Sequence, residues 1–194
     1  PMDALWLTVK CTGVDQAAQD IKPLVNENTV IFCCQNGLGS EEAVKQLYPD
    51  NQVLRVMVPF NVAEPKPGHL HRGSEGHLTI ENALDKPDLI PTLTASMNQP
   101  LLPTAFTNDM QALLWAKLQL NLGNSINALA DIPVKQMLEQ RSYRLVIAAL
   151  MQELLSVTQA LEIDLPKVAA LPGKMIPKVL SLPNFLFKLL ANKM

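Results

Sequence analysis

The chain has 194 residues, of which 48% are hydrophobic, and a formal net charge of −2 at neutral pH. Such a composition is typical of one or two globular domains. The small net charge offers no long-range attraction to nucleic acid or to an anionic membrane, and no apolar run reaches the ~20 residues that span a bilayer. We therefore expect neither nucleic acid nor a membrane as a partner.

Short apolar runs alternate with helical patterns in the first half of the chain. The predicted strands cover residues 4–9, 29–34, 52–60 and 77–80. A helical pattern separates the first two strands, and Ser40 is the predicted N-cap of the next helix. This alternation predicts an α/β sheet, in which ligands bind at the carboxyl ends of the strands. Lys10 and Asn36 both follow such strand ends.

Helical patterns replace strand patterns in the second half of the chain. The predicted helices cover residues 88–97, a long stretch from Asn108 or Asp109 to about 129, a segment that begins at Pro133, and residues 141–161. Short segments interrupted by proline follow. We therefore predict two domains, an α/β domain at residues 1–104 and a helical domain at residues 105–194.

The long helix carries one narrow polar stripe. Lys117 is the only charged residue between Ala112 and Ala130. At ~100° per residue, Lys117, Asn121 and Asn124 lie within about 60° of one another, with Ser125 beside them. A stripe that faces water is the simpler interpretation, but solvated faces usually carry charges of both signs. The alternative is a buried lysine with a function, because burial without a partner lowers the pKa of a lysine or destabilises the fold.

Such a lysine suits the reduction of a 2-oxo acid. Hydride transfer to a ketone leaves negative charge on the oxygen, and a positioned ammonium can stabilise that charge and donate the proton. Amide side chains farther along the helix can bind a carboxylate or a hydroxyl without adding a competing charge.

The remaining polar candidates have simpler structural explanations. Asn36 precedes Gly37, and Asn-Gly is a common turn pair, although an amide at a strand end could also contact a cofactor. Lys10 could simply extend into solvent at the end of its strand. The three histidines flank a glycine-rich loop at a spacing that could suggest a metal, but no carboxylate or cysteine pattern supports one, so we predict no metal site. They are His69, His71 and His77.

The three cysteines, Cys11, Cys33 and Cys34, lie in or at the end of apolar runs without a C-x-x-C pair. We predict reduced core cysteines in a cytoplasmic protein. A redox role for the adjacent pair is the alternative.

The order of these motifs resembles the ketopantoate reductase (2-dehydropantoate 2-reductase) family. The resemblance rests on Val9-Lys10, then the run 35–39, then Pro67-Gly68-His69 with Gly73 and Gly76, and then the run 117–121, and it covers nearly the whole chain. It implies that residues 1–104 are part of a Rossmann-type, NAD(P)-binding domain. Residues 105–194 would then be part of a helical substrate and dimerisation domain like that of 6-phosphogluconate dehydrogenases. It also implies NADPH-dependent reduction of ketopantoate to pantoate, in pantothenate and coenzyme A biosynthesis, and a possible homodimer through the helical domain.

The resemblance also implies roles for individual residues. Lys117 matches the catalytic acid of the family and Asn121 its first substrate-binding asparagine. Asn36 matches an asparagine shared by cofactor and substrate, and Lys10 a lysine near the cofactor. Ser125 stands where a second substrate asparagine is expected, and the adjacent Asn124 could replace it. Lys135 stands at the position of a further substrate asparagine. Both departures leave the identity of the 2-oxo acid open.

The family's glycine-rich phosphate loop is expected before residue 1, and a later helix with a serine and a glutamate after Met194. We therefore expect a fragment that is inactive by itself and binds NADPH poorly. Two alternatives remain open. One is another hydroxy-acid dehydrogenase of the same scaffold, and the other is a non-catalytic, truncated helical association module.

Overall fold

The computed structural model describes residues 1–83 and 88–191. It divides into two compact units, Pro1–Gln111 and Ala112–Met194. Residues 84–87 and 192–194, which fall inside the two predicted domains, lie outside the described residues.

The first unit is built on a five-stranded sheet in the order β1-β2-β3-β6-β7. Strands β1 to β3 are parallel, β6 is antiparallel to β3, and β7 is parallel to β6. The strands are β1 Ala4–Leu7, β2 Val30–Cys33, β3 Gln52–Met57, β6 Leu78–Glu81 and β7 Thr104–Thr107. The helices are α1 Val14–Asp20, α2 Ser40–Leu47 and α3 Leu89–Met97, with short 3-10 turns at Cys11–Gly13 and Lys22–Leu24.

Both faces of strand β2, which lies between β1 and β3, are buried, as expected for a parallel sheet covered on two sides. Ile31 and Cys33 face a core completed by α1 and α2, with Val14, Ala18 and Val44. The opposite face forms a second core around Phe32, Val56 and Ile80, against which α3 packs. These cores fix where β1 and β2 end, and therefore where the polar residues that follow them lie.

Two elements of the first unit differ from the sequence prediction. Residues 62–72 form a solvent-exposed antiparallel hairpin, β4 Val62–Lys66 and β5 His69–Arg72, that turns at Pro67 and Gly68, whereas a loop was expected there. The last strand β7 crosses the predicted domain boundary after residue 104. It was missed because only four residues, flanked by Pro103 and Asn108, give too short an apolar signal.

The second unit is entirely helical among the described residues. Its helices are α4 Met110–Ala130, α5 Val134–Glu139, α6 Arg141–Ala160, α7 Ile176–Leu180 and α8 Asn184–Ala191, with a 3-10 turn at Gly173–Met175. Met137, Ile147, Ala148, Met151 and Leu180 form its core, on which Leu122 and Ile126 of α4 pack.

The predicted fold class is confirmed. A Rossmann-like, mostly parallel sheet is followed by a helical domain. The nucleotide-binding and substrate-binding roles given to the two domains stay predictions. No helix in the part of the chain that the structure describes is both long and apolar enough to cross a membrane.

Candidate functional site

The carboxyl ends of β1 and β2 lie side by side in the first unit. The two strands are paired in register from Ala4 with Val30 to Leu7 with Cys33. Beyond the last pair, the Cys34 backbone N–H donates to the Leu7 carbonyl at 3.1 Å. Lys10 and Asn36 follow these two ends, and both side chains are exposed. The structure therefore places the two predicted residues at neighbouring strand ends, where open sheets of this type bind ligands.

Gln35 connects these two strand ends. Its side chain is 9% exposed, and Nε2 donates to the carbonyls of Leu7 at 2.8 Å and Val9 at 2.9 Å. The amide thereby holds the segment before Lys10 against the turn that carries Asn36. Sequence reasoning assigned roles to Lys10 and Asn36 but none to Gln35, although a polar residue at the end of the apolar run 29–34 indicates a buried hydrogen-bonding role.

The turn that carries Asn36 is held in a defined conformation. Gly37 and Gly39 have φ of 95° and 84°, a region that favours glycine. Gly39 occupies the N-cap position of α2, so that Ser40 is the first residue of the helix and the predicted cap differs by one residue. Glu41, the second residue of α2, lies 3.5 Å from the guanidinium of Arg55 in β3 and anchors the start of α2 to the sheet.

Arg55 is also paired with a second carboxylate. Its Nε donates to Glu81 Oε2 at 3.0 Å, and Nη2 lies 2.5 Å from Glu81 Oε1. Burial alone would raise the pKa of Glu81, but the hydrogen bonds from Arg55 outweigh it and the pKa lies below its ordinary value. The pair therefore remains ionised at neutral pH and joins β3 to β6.

Lys117 lies near the middle of α4 and is half-buried. Burial lowers the pKa of its ammonium, as expected for a lysine that has lost part of its hydration. Among the described residues of the second unit, none forms an ion pair with Lys117. A lysine with a lowered pKa is a better proton donor near neutral pH than one in water.

The predicted polar stripe has two different parts. Asn121 follows Lys117 by one helical turn and is also half-buried. Asn124 and Ser125 are exposed, and the Ser125 hydroxyl donates to the Leu122 carbonyl at 3.3 Å. Asn124 instead lines a cavity of about 220 Å³ together with Asn127 and Val134. Geometry thus groups Asn121 most closely with Lys117, and the substrate roles of Asn124 and Ser125 stay predictions.

The cysteines and histidines contribute little to either group. Burial raises the pKa of Cys33 to about 12 and that of Cys34 to about 11, so both remain protonated, weak nucleophiles. Cys11 is exposed, which differs from the predicted core position because the chain leaves the sheet after Leu7. Across residues 1–83 and 88–191, no group of three His, Cys, Asp or Glu side chains is arranged to hold a metal ion.

Comparison with known proteins accounts for this pairing of a sheet and a helical unit. The sequence model of "Ketopantoate reductase PanE/ApbA" matches residues 1–84, and that of "Ketopantoate reductase PanE/ApbA C terminal" matches residues 109–181. The chain belongs to the ketopantoate reductase family. Both matches fall on the segments that carry the candidate residues, with Lys10 and Asn36 in the first and the α4 stripe in the second.

Curated ketopantoate reductases are distant relatives of the chain. A 2-dehydropantoate 2-reductase of Streptococcus pyogenes is 24% identical over 165 residues, which cover 84% of this chain and 54% of that protein. The corresponding enzyme of Aquifex aeolicus is 28% identical over 134 residues, 67% of this chain and 43% of that protein. The chain thus spans about half the length of these ketopantoate reductases.

Solved structures share the fold. A ketopantoate reductase of Ralstonia eutropha superposes with a TM-score of 0.73 at 25% identity, covering 91% of this chain and 58% of that chain. A D-mandelate dehydrogenase in complex with NADH gives a TM-score of 0.77 at 17% identity, covering 96% and 62%. The ketopantoate reductase scaffold is therefore shared with a dehydrogenase of a different name.

Proposed function

We propose that the protein reduces a 2-oxo acid with NADPH, and that its substrate is 2-dehydropantoate, which becomes pantoate in the synthesis of pantothenate and coenzyme A. The observation that carries this proposal is the half-buried Lys117 ammonium, whose pKa is lowered by burial. It lies on the helix that falls within the family match, one turn from an amide of suitable chemistry, Asn121. The curated relatives named 2-dehydropantoate 2-reductase support the choice of substrate.

In this proposal Lys117 is the general acid. As hydride reaches the carbonyl carbon, the carbonyl oxygen gains the electron pair of the C=O π bond and takes a proton from the ammonium. Asn121 and Asn36 donate hydrogen bonds to the substrate, with Asn124 and Ser125 as further candidates along the helix. The lysine must be protonated to act, so turnover should fall as the pH rises through its pKa.

The strand ends of the first unit suit part of a nicotinamide nucleotide site. Lys10 supplies an exposed cation for a phosphate, and the Asn36 amide can bind ribose hydroxyls, both beside the carboxyl ends of parallel strands. When bound, NADPH would supply the hydride. Residues 1–194 contain no G-x-G-x-x-G loop, so we propose that they bind NADPH weakly and are inactive by themselves.

The compartment and the oligomeric state of the protein are proposed from the cysteines and from exposed apolar side chains. Three free cysteines support a reducing compartment, and we propose the cytoplasm.

We also propose a homodimer through the helical unit. Apolar side chains of α6 and α8 are exposed there, among them Val146, Phe185 and Leu189. One solved relative is described as a dimeric ketopantoate reductase from Staphylococcus aureus.

Substrate profiling of the intact gene product tests the proposal. NADPH and NADH oxidation should be measured with 2-dehydropantoate and with other 2-oxo acids, and NADP+ and NAD+ reduction should be measured with 3-hydroxy acids. Preferred turnover of 2-dehydropantoate with NADPH is the expected result. Preference for another hydroxy acid would identify a different dehydrogenase on this scaffold. A folded protein that binds no nicotinamide nucleotide would instead indicate a helical association module.

A further inference from the structure

Gln119 is the buried polar side chain at the centre of α4. It lies two residues from both Lys117 and Asn121, which places it ~160° around the helix from each of them. The side chain is 1% exposed. It therefore faces the interior of the helical unit, while the proposed catalytic side chains project from the other side of the same helix.

The Gln119 amide is fixed by a glycine from a distant part of the unit. Its Nε2 donates to the Gly173 carbonyl at 3.0 Å. A Cβ atom at residue 173 would lie 2.5 Å from Gln119 Oε1, well inside van der Waals contact. An alanine at residue 173 would therefore force the Gln119 amide, the end of its side chain, to move. The contact combines a hydrogen bond with close steric packing.

The segment that carries Gly173 is itself held firmly. The 3-10 turn Gly173–Met175 continues into α7, whose Leu180 belongs to the core of the unit. Arg144 of α6, which is fully buried, donates to the carbonyls of Leu180 at 3.0 Å and Leu182 at 2.8 Å. Gln119 therefore connects α4 to a segment that is anchored independently to α6 and to the core of the unit.

We propose that the contact between Gln119 and Gly173 fixes the rotation of α4 about its own axis and thereby positions Lys117 and Asn121. The proposal rests on the proposed catalytic role of Lys117. A side chain extends ~6 Å from a helix axis, so a rotation of about 10° moves its tip by about 1 Å. A misplacement of that size can lower a rate by ~100-fold. Gln119 and Gly173 are positioning residues, since neither needs to touch the substrate.

Two substitutions test the pair in the intact protein. Gly173→Ala inserts the clashing Cβ, and Gln119→Met removes the hydrogen bond while keeping the length of the side chain. Gly123→Ala is the matched control on the same helix, because its Cβ would lie at an ordinary 3.7 Å from Ile147. Leu154→Ala in the core of α6 is the control for destabilisation alone.

Two readouts separate positioning from stability. The first is kcat per folded molecule with saturating substrate, which should fall roughly 10- to 100-fold in Gly173→Ala and less in Gln119→Met. Both controls should keep kcat, although Leu154→Ala lowers the unfolding midpoint. The second is the pKa of Lys117, followed by NMR of 13C-labelled lysine and assigned with Lys117→Arg. It should move in both test variants while the pKa values of the other lysines stay constant.

The outcomes distinguish this inference from the proposed function. If Lys117→Ala is inactive but both test variants keep their kcat and their Lys117 pKa, the positioning role is overturned and the function stands. If Lys117→Ala retains full turnover, the function is overturned. The NMR measurement then decides alone whether Gln119 and Gly173 position Lys117.

Discussion

At the scale of single residues, buried polar side chains determine where the exposed candidate residues stand. Gln35 joins two strand ends, and Arg55 joins Glu41 of α2 to Glu81 of β6. Neither Gln35 nor Arg55 needs to contact a ligand. Gln35 fixes the backbone next to Lys10 and Asn36, which could contact one, and Arg55 fixes the start of the helix that follows Asn36. Both contacts persist because a buried polar group left without its partner destabilises the fold.

The Arg55–Glu81 pair should contribute to stability in a pH-dependent way. Glu81→Gln is expected to lower the free energy of unfolding at pH 7 by ~1.5–3 kcal/mol, the range for hydrogen bonds to charged groups. Because the pKa of Glu81 is lowered by folding, this contribution is complete above the ordinary value of 4.5 and is lost as the pH falls through the folded value. Urea titrations from pH 3 to pH 7 measure it.

Glu75→Gln is the matched control for this pair. Glu75 contacts Arg72 at 2.7 Å, but its side chain is 87% exposed, so its loss should change the stability by less than ~1 kcal/mol. Equal effects of the two substitutions at every pH would contradict the account.

At the scale of helices and strands, α4, α6 and strands β1 to β3 could be predicted from sequence to within a few residues. Their apolar patterns are long or strictly bounded, and Pro133 marks the start of α5 correctly. The hairpin β4–β5 and strand β7 could not be predicted, because β4 and β5 are almost wholly exposed and none of the three is a continuous apolar run like β1 and β2. The stripe on α4 followed from helical geometry, but which of its members are buried depends on packing that the sequence does not display.

Arg144 shows how one side chain can hold several elements. Its guanidinium donates to the carbonyls of Leu138, Leu180 and Leu182 and lies 4.1 Å from the ring centre of Phe187. The ends of α5, α7 and the start of α8 are therefore fastened to α6. Burial lowers the pKa of this guanidinium, yet hydrogen bonds satisfy it without a carboxylate.

Arg144→Met should destabilise the helical unit by roughly 3 kcal/mol, because one buried and two partly buried carbonyls lose their donor. Trp115 reports on this unit in a Trp6→Phe background, and Trp6 reports on the sheet unit in a Trp115→Phe background. In denaturant titrations of Arg144→Met, the fluorescence transition of Trp115 should come at a lower denaturant concentration than in the parent protein. Arg141→Met is the control, and it should have little effect, because Arg141 is exposed and donates to the Ser181 carbonyl at a long 3.4 Å. A Trp115 transition unchanged by Arg144→Met would refute this role.

At the scale of the whole molecule, the chain combines a Rossmann-like sheet unit with a helical unit, and each presents one group of polar residues. The sheet unit presents Lys10 and Asn36, and the helical unit presents Lys117 and Asn121. Family membership joins the two units in one type of enzyme. The central claim is that Lys117 supplies the proton in the reduction of a 2-oxo acid.

The most direct test is NADPH oxidation with 2-dehydropantoate by the intact gene product and its Lys117→Ala variant, across pH 6 to 10. Lys178→Ala, an exposed lysine of α7, is the control. The account predicts that kcat falls by roughly 100-fold or more in Lys117→Ala and that the parent protein loses activity at a pH below the ordinary pKa of lysine. Full turnover by a folded Lys117→Ala variant would contradict it.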